Sequence, residues 1–165
     1  MVAPNGARKT KADHPALPMT PDEAAATARR CHAAGAAAIH LHARDASGAH
    51  TLEPALYRPF VDAVRDEMGA AMALQITTEA VGRYAPAEMR RVVDELAPDA
   101  FSVSIKELIP APEDLDAAAA WLGRALARDA APQIILYAPE ELDRLCDWIE
   151  AGALPRARYF LLFVL

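Results

Sequence analysis

Capped, amphipathic helical segments alternate with short apolar runs along almost the whole chain, and this alternation restricts the fold more than any other feature. Thr20-Pro21-Asp22-Glu23 is a helix start, with a Thr cap, Pro at the first helical position and an acid three residues after the cap. The helix runs to about Ala34, where Gly35 can take the left-handed backbone that ends it. Ala36 to Ala43 then reads as a strand. The pattern repeats with a helix from Pro54 to Met68 stopped by Gly69, and an apolar run from Ala71 to Thr77. It continues with a helix over Pro86 to Leu96, a strand over Ala100 to Ile105 and a helix over Glu113 to Arg128. A strand over Gln133 to Tyr137, a helix over Pro139 to Ala151 before Gly152, and an apolar run from Tyr159 to Leu165 complete it.

Strand, helix and turn recur roughly every 25 to 35 residues, which suits a doubly wound parallel sheet or a (β/α)8 barrel. A complete barrel needs roughly 250 residues, so a chain of 165 would supply about six βα units. The expectation is an α/β chain, an incomplete TIM (β/α)8-type barrel, forming a single partial domain over residues 1–165. An apolar strand in a parallel sheet is normally covered on both faces by helices, and nothing after Leu165 supplies that cover, so the sequence looks cut short.

Composition narrows the function classes. Charged residues at 24% and a net charge of -6 are those of a globular protein, and the negative sign argues against nucleic acid, which needs a concentrated basic surface. No apolar stretch approaches the roughly 20 residues of a membrane helix, and the N-terminus lacks a secretory pattern, so a cytoplasmic location without membrane partners is expected. Cys31 and Cys146 lie far apart in helical segments and are expected to be two buried thiols.

His40 and His42 stand two apart on an apolar strand, so both side chains leave the same face and can converge on one ion. Imidazole suits zinc, and catalytic zinc takes three protein ligands, so the pair alone is insufficient. Two hydrogen-bonded histidines at a strand end are the plainer alternative. A position at the C-terminal end of a barrel strand favours function. Asp45, in the turn-like Asp45-Ala46-Ser47-Gly48, can orient a histidine or simply form the turn, and the turn is favoured.

Thr77, Thr78 and Glu79 end the next strand, where hydroxyls can bind a substrate carboxylate and Glu79 can act as base or ligand; strand propensity and solvent exposure explain them as well. Ser102 and Ser104 share one face of the following strand, whereas Lys106 and Glu107 read as loop surface. Arg8 can hold an anionic group through a forked contact, or be a mobile surface residue. His14 reads as structural or exposed, Tyr137 as a strand-end residue that lines a cavity or packs, and His32 and His50 have no evident partner in the sequence.

Asn5-Gly6-Ala7, Thr10-Lys11-Ala12-Asp13 with Pro15 to Pro18, Gly35-Ala36, and Ile39-His40-Leu41-His42 followed by Arg44-Asp45 form a distinctive set. With Leu74-Gln75-Ile76-Thr77-Thr78 and the final Phe163-Val164-Leu165, the chain resembles the β-keto acid cleavage enzymes over nearly all its length. That resemblance implies a TIM barrel with Zn2+ held by His40, His42 and a glutamate from a later strand, expected beyond Leu165. It implies a reversible exchange in which a β-keto acid and acetyl-CoA give acetoacetate and a new acyl-CoA, with zinc polarising the keto oxygen. Coenzyme A would then be a substrate, and the full-length protein a homo-oligomer.

By position, Thr77 stands where the family's type enzyme has a substrate-binding serine, and Ser102 where it has a threonine; both keep the hydroxyl, and Ser104 is grouped with them. Arg8 stands where the type enzyme has a glutamate that receives the substrate's amino group. The reversed charge implies a β-keto acid that is neutral or carries a second anionic group. The family's later catalytic aspartate and arginine have no counterpart, so the chain as written is expected to be inactive and, with two exposed sheet edges, to associate. Two other readings stay open: a different metal-dependent barrel, hydrolase or aldolase, using His40, His42 and Glu79, or a non-catalytic remnant that binds partners.

Overall fold

Thr20 accepts a hydrogen bond from the Glu23 N–H at 3.3 Å, and Glu23 Oε2 accepts in return from the N–H groups of Met19 and Thr20 at 2.8 and 3.3 Å. This reciprocal cap starts α1 (Pro21–Ala33), and Gly35, at φ +98°, ends it as the sequence implies. The computed structural model describes residues 1–164 and resolves into two compact units, Met1–Thr77 and Thr78–Leu165. Leu165, the last residue of the expected terminal strand, lies outside the described residues.

In the first unit α1 leads into β1 (Ala38–Leu41), and α2 (Pro54–Met68) with a 3-10 turn (Gly69–Ala71) leads into β2 (Ala73–Thr77). The strands run parallel, with His40 opposite Gln75 and Leu41 opposite Ile76. Before them, Val2 makes an isolated parallel bridge to Ile39, and no other pairing of a preceding strand is present among the described residues. Tyr57, Phe60, Val61 and Val64 of α2 are buried at the i, i+3, i+4, i+7 spacing of a single helix face. The matching face of α1 is built from Ala24, Ala25, Thr27 and Ala28, whose small side chains let α1 and α2 pack closely.

The second unit holds α3 (Pro86–Leu96), β3 (Ala100–Ser104), a helical turn α4 (Ile105–Leu108), a 3-10 turn (Pro112–Asp114), α5 (Leu115–Ala127), β4 (Ala131–Leu136), α6 (Pro139–Glu150) and β5 (Phe160–Phe163). β3, β4 and β5 pair in parallel. Met89, Val92, Val93 and Leu96 of α3, and Ala118, Trp121, Leu122 and Ala125 of α5, repeat the same buried spacing. Each large aliphatic or aromatic side chain removed from water in this way contributes roughly 1.5–3 kcal/mol. The chain is therefore α/β, made of the strand–helix–strand repeat of a (β/α) barrel, with five strands and the parallel Val2–Ile39 bridge among the described residues, where about six βα units were expected.

β5 differs from the other strands, since Phe160, Leu161, Leu162 and Phe163 are all exposed, Phe160 at 65%. The expectation of two buried thiols is corrected: Cys31 is half-buried and Cys146 exposed, and both are free. Glu141 and Leu145 define the buried face of α6, and position 146 turns away from it. Among the described residues, no helix is long and apolar enough to cross a membrane.

Candidate functional site

His40 and His42 leave β1 and its C-terminal extension on the same face, with ring centroids 4.9 Å apart and the two Nε2 atoms at 3.1 Å. The register that sets His40 opposite Gln75 brings Gln75 Oε1 to 2.7 Å from His40 Nδ1. An amide oxygen only accepts, so Nδ1 carries the proton and the Nε2 lone pair points toward His42. Burial lowers the pKa of His40, outweighing the opposing effect of the Gln75 hydrogen bond. His42 is driven down to about 2, first by burial and then by His40, His50 and Arg44 around it. Both rings are neutral near pH 7, the state a metal ligand requires.

The arrangement fits a two-point chelate. With Zn–N bonds of about 2.0–2.1 Å and a tetrahedral angle, two ligating nitrogens lie about 3.3 Å apart. The observed 3.1 Å is close to that span. The same geometry also serves a hydrogen bond from His42 Nε2–H to His40 Nε2. Among the described residues, no group of three or more His, Cys, Asp or Glu side chains is gathered for a metal ion, so the chain presents a pair of nitrogen donors.

Three buried side chains hold the backbone around this pair. Asn5 grips His42 from both sides, its Oδ1 accepting from the His42 N–H at 3.2 Å and its Nδ2 donating to the His42 carbonyl at 2.7 Å and the Pro18 carbonyl at 3.1 Å. Tyr57, fully buried, donates its hydroxyl to the Leu41 carbonyl and accepts the Thr77 N–H at 3.2 Å, joining the ends of β1 and β2. Burial raises the Tyr57 pKa, so the hydroxyl stays protonated. Arg44, 5% exposed, donates to backbone carbonyls of the loop 5–9.

The remaining sequence candidates are placed as follows. Thr77 is buried at the end of β2. Ser102 and Ser104 are each 2% exposed on one face of β3, and both Oγ atoms are buried without a hydrogen-bond partner. Native proteins seldom leave such groups unsatisfied, and here two of them share one strand face. Arg8 is exposed, in the loop that Arg44 grips. Glu79 is half-buried, and its charge, after desolvation, helps to raise the pKa of Glu107, which accepts the Ala80 N–H at 3.4 Å. The Lys106 ammonium sits 3.7 Å from the Tyr137 ring centroid and 4.0 Å from Glu141 Oε1.

Asp45 forms the turn, accepting from the N–H groups of Ser47 and Ala49 at 2.8 and 3.0 Å, and it is Gln75 that orients His40. His14 is exposed and accepts the Ala16 N–H. His50 is 3% exposed, with its ring 5.2 Å from that of His42. The antiparallel bridge Arg44–His50 brings it there, and the sequence signal for that reversal is the turn Asp45-Ala46-Ser47-Gly48.

Fold and site together define a (β/α)-type protein with two neutral imidazoles converging at the C-terminal end of a parallel strand. The chain belongs to the β-keto acid cleavage enzyme family, whose model matches residues 1–165. It is 33% identical over 104 residues to a 3,5-dioxohexanoate:acetyl-CoA acetone transferase of Paraburkholderia graminis, covering 62% of this chain and 33% of that one. It is 36% identical over 77 residues to the 3-keto-5-aminohexanoate cleavage enzyme of Fusobacterium nucleatum, covering 47% of this chain and 28% of that one. The matched segments thus span a third or less of these relatives. A D-glucarate dehydratase from Agrobacterium tumefaciens, complexed with magnesium, shares the fold with a TM-score of 0.50 at 20% identity, over 81% of this chain and 33% of that one.

Proposed function

We propose that this chain carries the metal-binding pair and substrate-binding hydroxyls of a zinc-dependent β-keto acid cleavage enzyme. In the exchange, the bond between the keto carbon and the CH2–COO⁻ unit of the β-keto acid breaks. That unit joins the acetyl carbonyl of acetyl-CoA to give acetoacetate, and the CoA sulfur takes the remaining acyl group. The observation that carries the reading is the pair of Nε2 atoms at 3.1 Å, with the His40 tautomer fixed by Gln75. Family membership and the names of the relatives supply the substrate classes.

Zinc, when bound, would act as a Lewis acid on the keto oxygen. His40 and His42 would hold it as neutral donors, and Gln75 would retain the Nδ1 proton of His40. The Thr77 hydroxyl would donate to a substrate oxygen; in the second unit, taken by itself, Ser102 and Ser104, buried without protein partners, are the hydroxyls open to a polar ligand. Arg8 would pair with an anionic group at the far end of the acid, favouring a dicarboxylate over an amino-bearing substrate.

Cobalt titration followed by visible absorption tests the metal site. His40→Ala and His42→Ala abolish the signal, and Gln75→Leu weakens binding about 10- to 100-fold while leaving the fold intact. Adding 3-oxoglutarate perturbs the cobalt spectrum at lower concentration than 3-keto-5-aminohexanoate. Binding that ignores both histidines, or preference for the amino acid, refutes the reading.

A further inference from the structure

Arg44 is an almost fully buried guanidinium whose donors converge on one short loop. Nη1 donates to the Ala7 carbonyl at 2.8 Å, and Nη2 to the carbonyls of Gly6, Lys9 at 3.2 Å and Asn5 at 3.4 Å. Gly6, at φ +58°, provides the left-handed turn with which the loop curls around the guanidinium. The loop answers through Asn5, whose side chain grips the backbone of His42, two residues before Arg44. Strand end and loop therefore hold each other: Arg44 fixes the loop, and the loop fixes His42.

We infer that Arg44 is a positioning residue that makes the loop 5–9 a rigid extension of the histidine-bearing segment, so that whatever side chain stands at position 8 is presented at a set place beside the site. Position 8 lies between Ala7 and Lys9, whose carbonyls are both held, while the Arg8 side chain is exposed. A guanidinium suits the grip, because four carbonyls divided between Nη1 and Nη2 match its spread donors and not a single ammonium. The loop is thus a cassette: its backbone is fixed by buried groups, and substrate choice can be rewritten at position 8 without disturbing His40 and His42. The part concerning specificity rests on the reading of Arg8 given above.

Trypsin tests the grip directly, through cleavage after Arg8 and Lys9 followed by mass spectrometry. Arg44→Met raises that cleavage at least tenfold and Arg44→Lys by an intermediate amount, while cleavage after Arg91, in the middle of α3, is unchanged. Arg44→Lys, which keeps the charge and some donors, provides the result if Arg44→Met does not fold. Binding is read in parallel on the cobalt-loaded chain, as the ratio of affinities for 3-oxoglutarate and acetoacetate.

Arg8→Met and Arg44→Met each collapse the ratio about equally, and the double variant loses nothing more. Unchanged cleavage after Arg8 and Lys9 in both Arg44 variants overturns the clamp. Raised cleavage with the ratio intact in the Arg44 variants, while Arg8→Met loses it, overturns the positioning role. A ratio unaffected by Arg8→Met refutes the assignment of Arg8, and with it the specificity role of the cassette, whereas the cleavage result for the clamp stands separately.

Discussion

Replacing Tyr57 by Phe removes one oxygen from a fully buried position and strands two backbone groups. The hydroxyl donates to the Leu41 carbonyl and accepts the Thr77 N–H at 3.2 Å, and Leu41 and Thr77 are themselves 0% and 2% exposed. Water cannot reach either group without opening the strand ends. The ring remains, so no cavity larger than a hydroxyl appears, and the cost is that of two unsatisfied polar groups. At about 1–3 kcal/mol for each, less the small gain from no longer burying the hydroxyl, the expected loss is about 2–4 kcal/mol. Against a total stability of about 5–15 kcal/mol, that is a large fraction, equivalent to a Tm roughly 5–15 °C lower for a chain of this size.

Urea unfolding followed by far-UV circular dichroism is the appropriate assay, because Trp121 and Trp148 both lie in the second unit and report poorly on the first. The midpoint should fall with the slope unchanged. A loss below about 0.5 kcal/mol would refute the reasoning, since it would mean that the carbonyl and the amide are satisfied without the tyrosine.

Glu107 is half-buried, and desolvation, reinforced by Glu79, raises its pKa above the ordinary 4.5 against the opposing Ala80 N–H and Lys106. A carboxyl raised in this way is most favourable to the fold below pH 4.5 and loses that contribution as pH rises through its folded pKa. Glu107→Gln is therefore more stable than the parent at pH 7 in urea melts, with the advantage vanishing below about pH 4.5; an equal difference at both pH values would contradict this. Exposed apolar residues on β5 favour edge-to-edge or face-to-face association. Leu161→Lys with Phe163→Lys should lower the apparent mass in sedimentation, and an unchanged mass would exclude β5 as the associating surface.

Helix limits set by local chemistry were legible in the sequence: Pro54–Met68 and Pro86–Leu96 form as read, because Pro at the first turn and the buried i, i+3, i+4, i+7 face are both local signals. Strand ends were less so. The first strand closes at Leu41 rather than Ala43, and Ile105 starts a helical turn rather than ending β3, since a strand extends only where a neighbour pairs with it. The convergence of His40 and His42 followed from a spacing of two on a strand. Their supports did not, because Gln75 lies 35 residues from His40 and Asn5 lies 37 from His42. Only the parallel register and the folded loop create those contacts, and no short motif encodes them.

That Gln75 faces His40 also fixes the electronic character of the site. A carboxylate behind a histidine draws on the ring proton, makes the imidazole more electron-rich and spreads negative charge toward a bound cation. An amide holds the same proton, with its oxygen 2.7 Å from Nδ1, yet contributes no net charge. A cation seated on these two rings would keep more of its positive charge than one backed by a carboxylate.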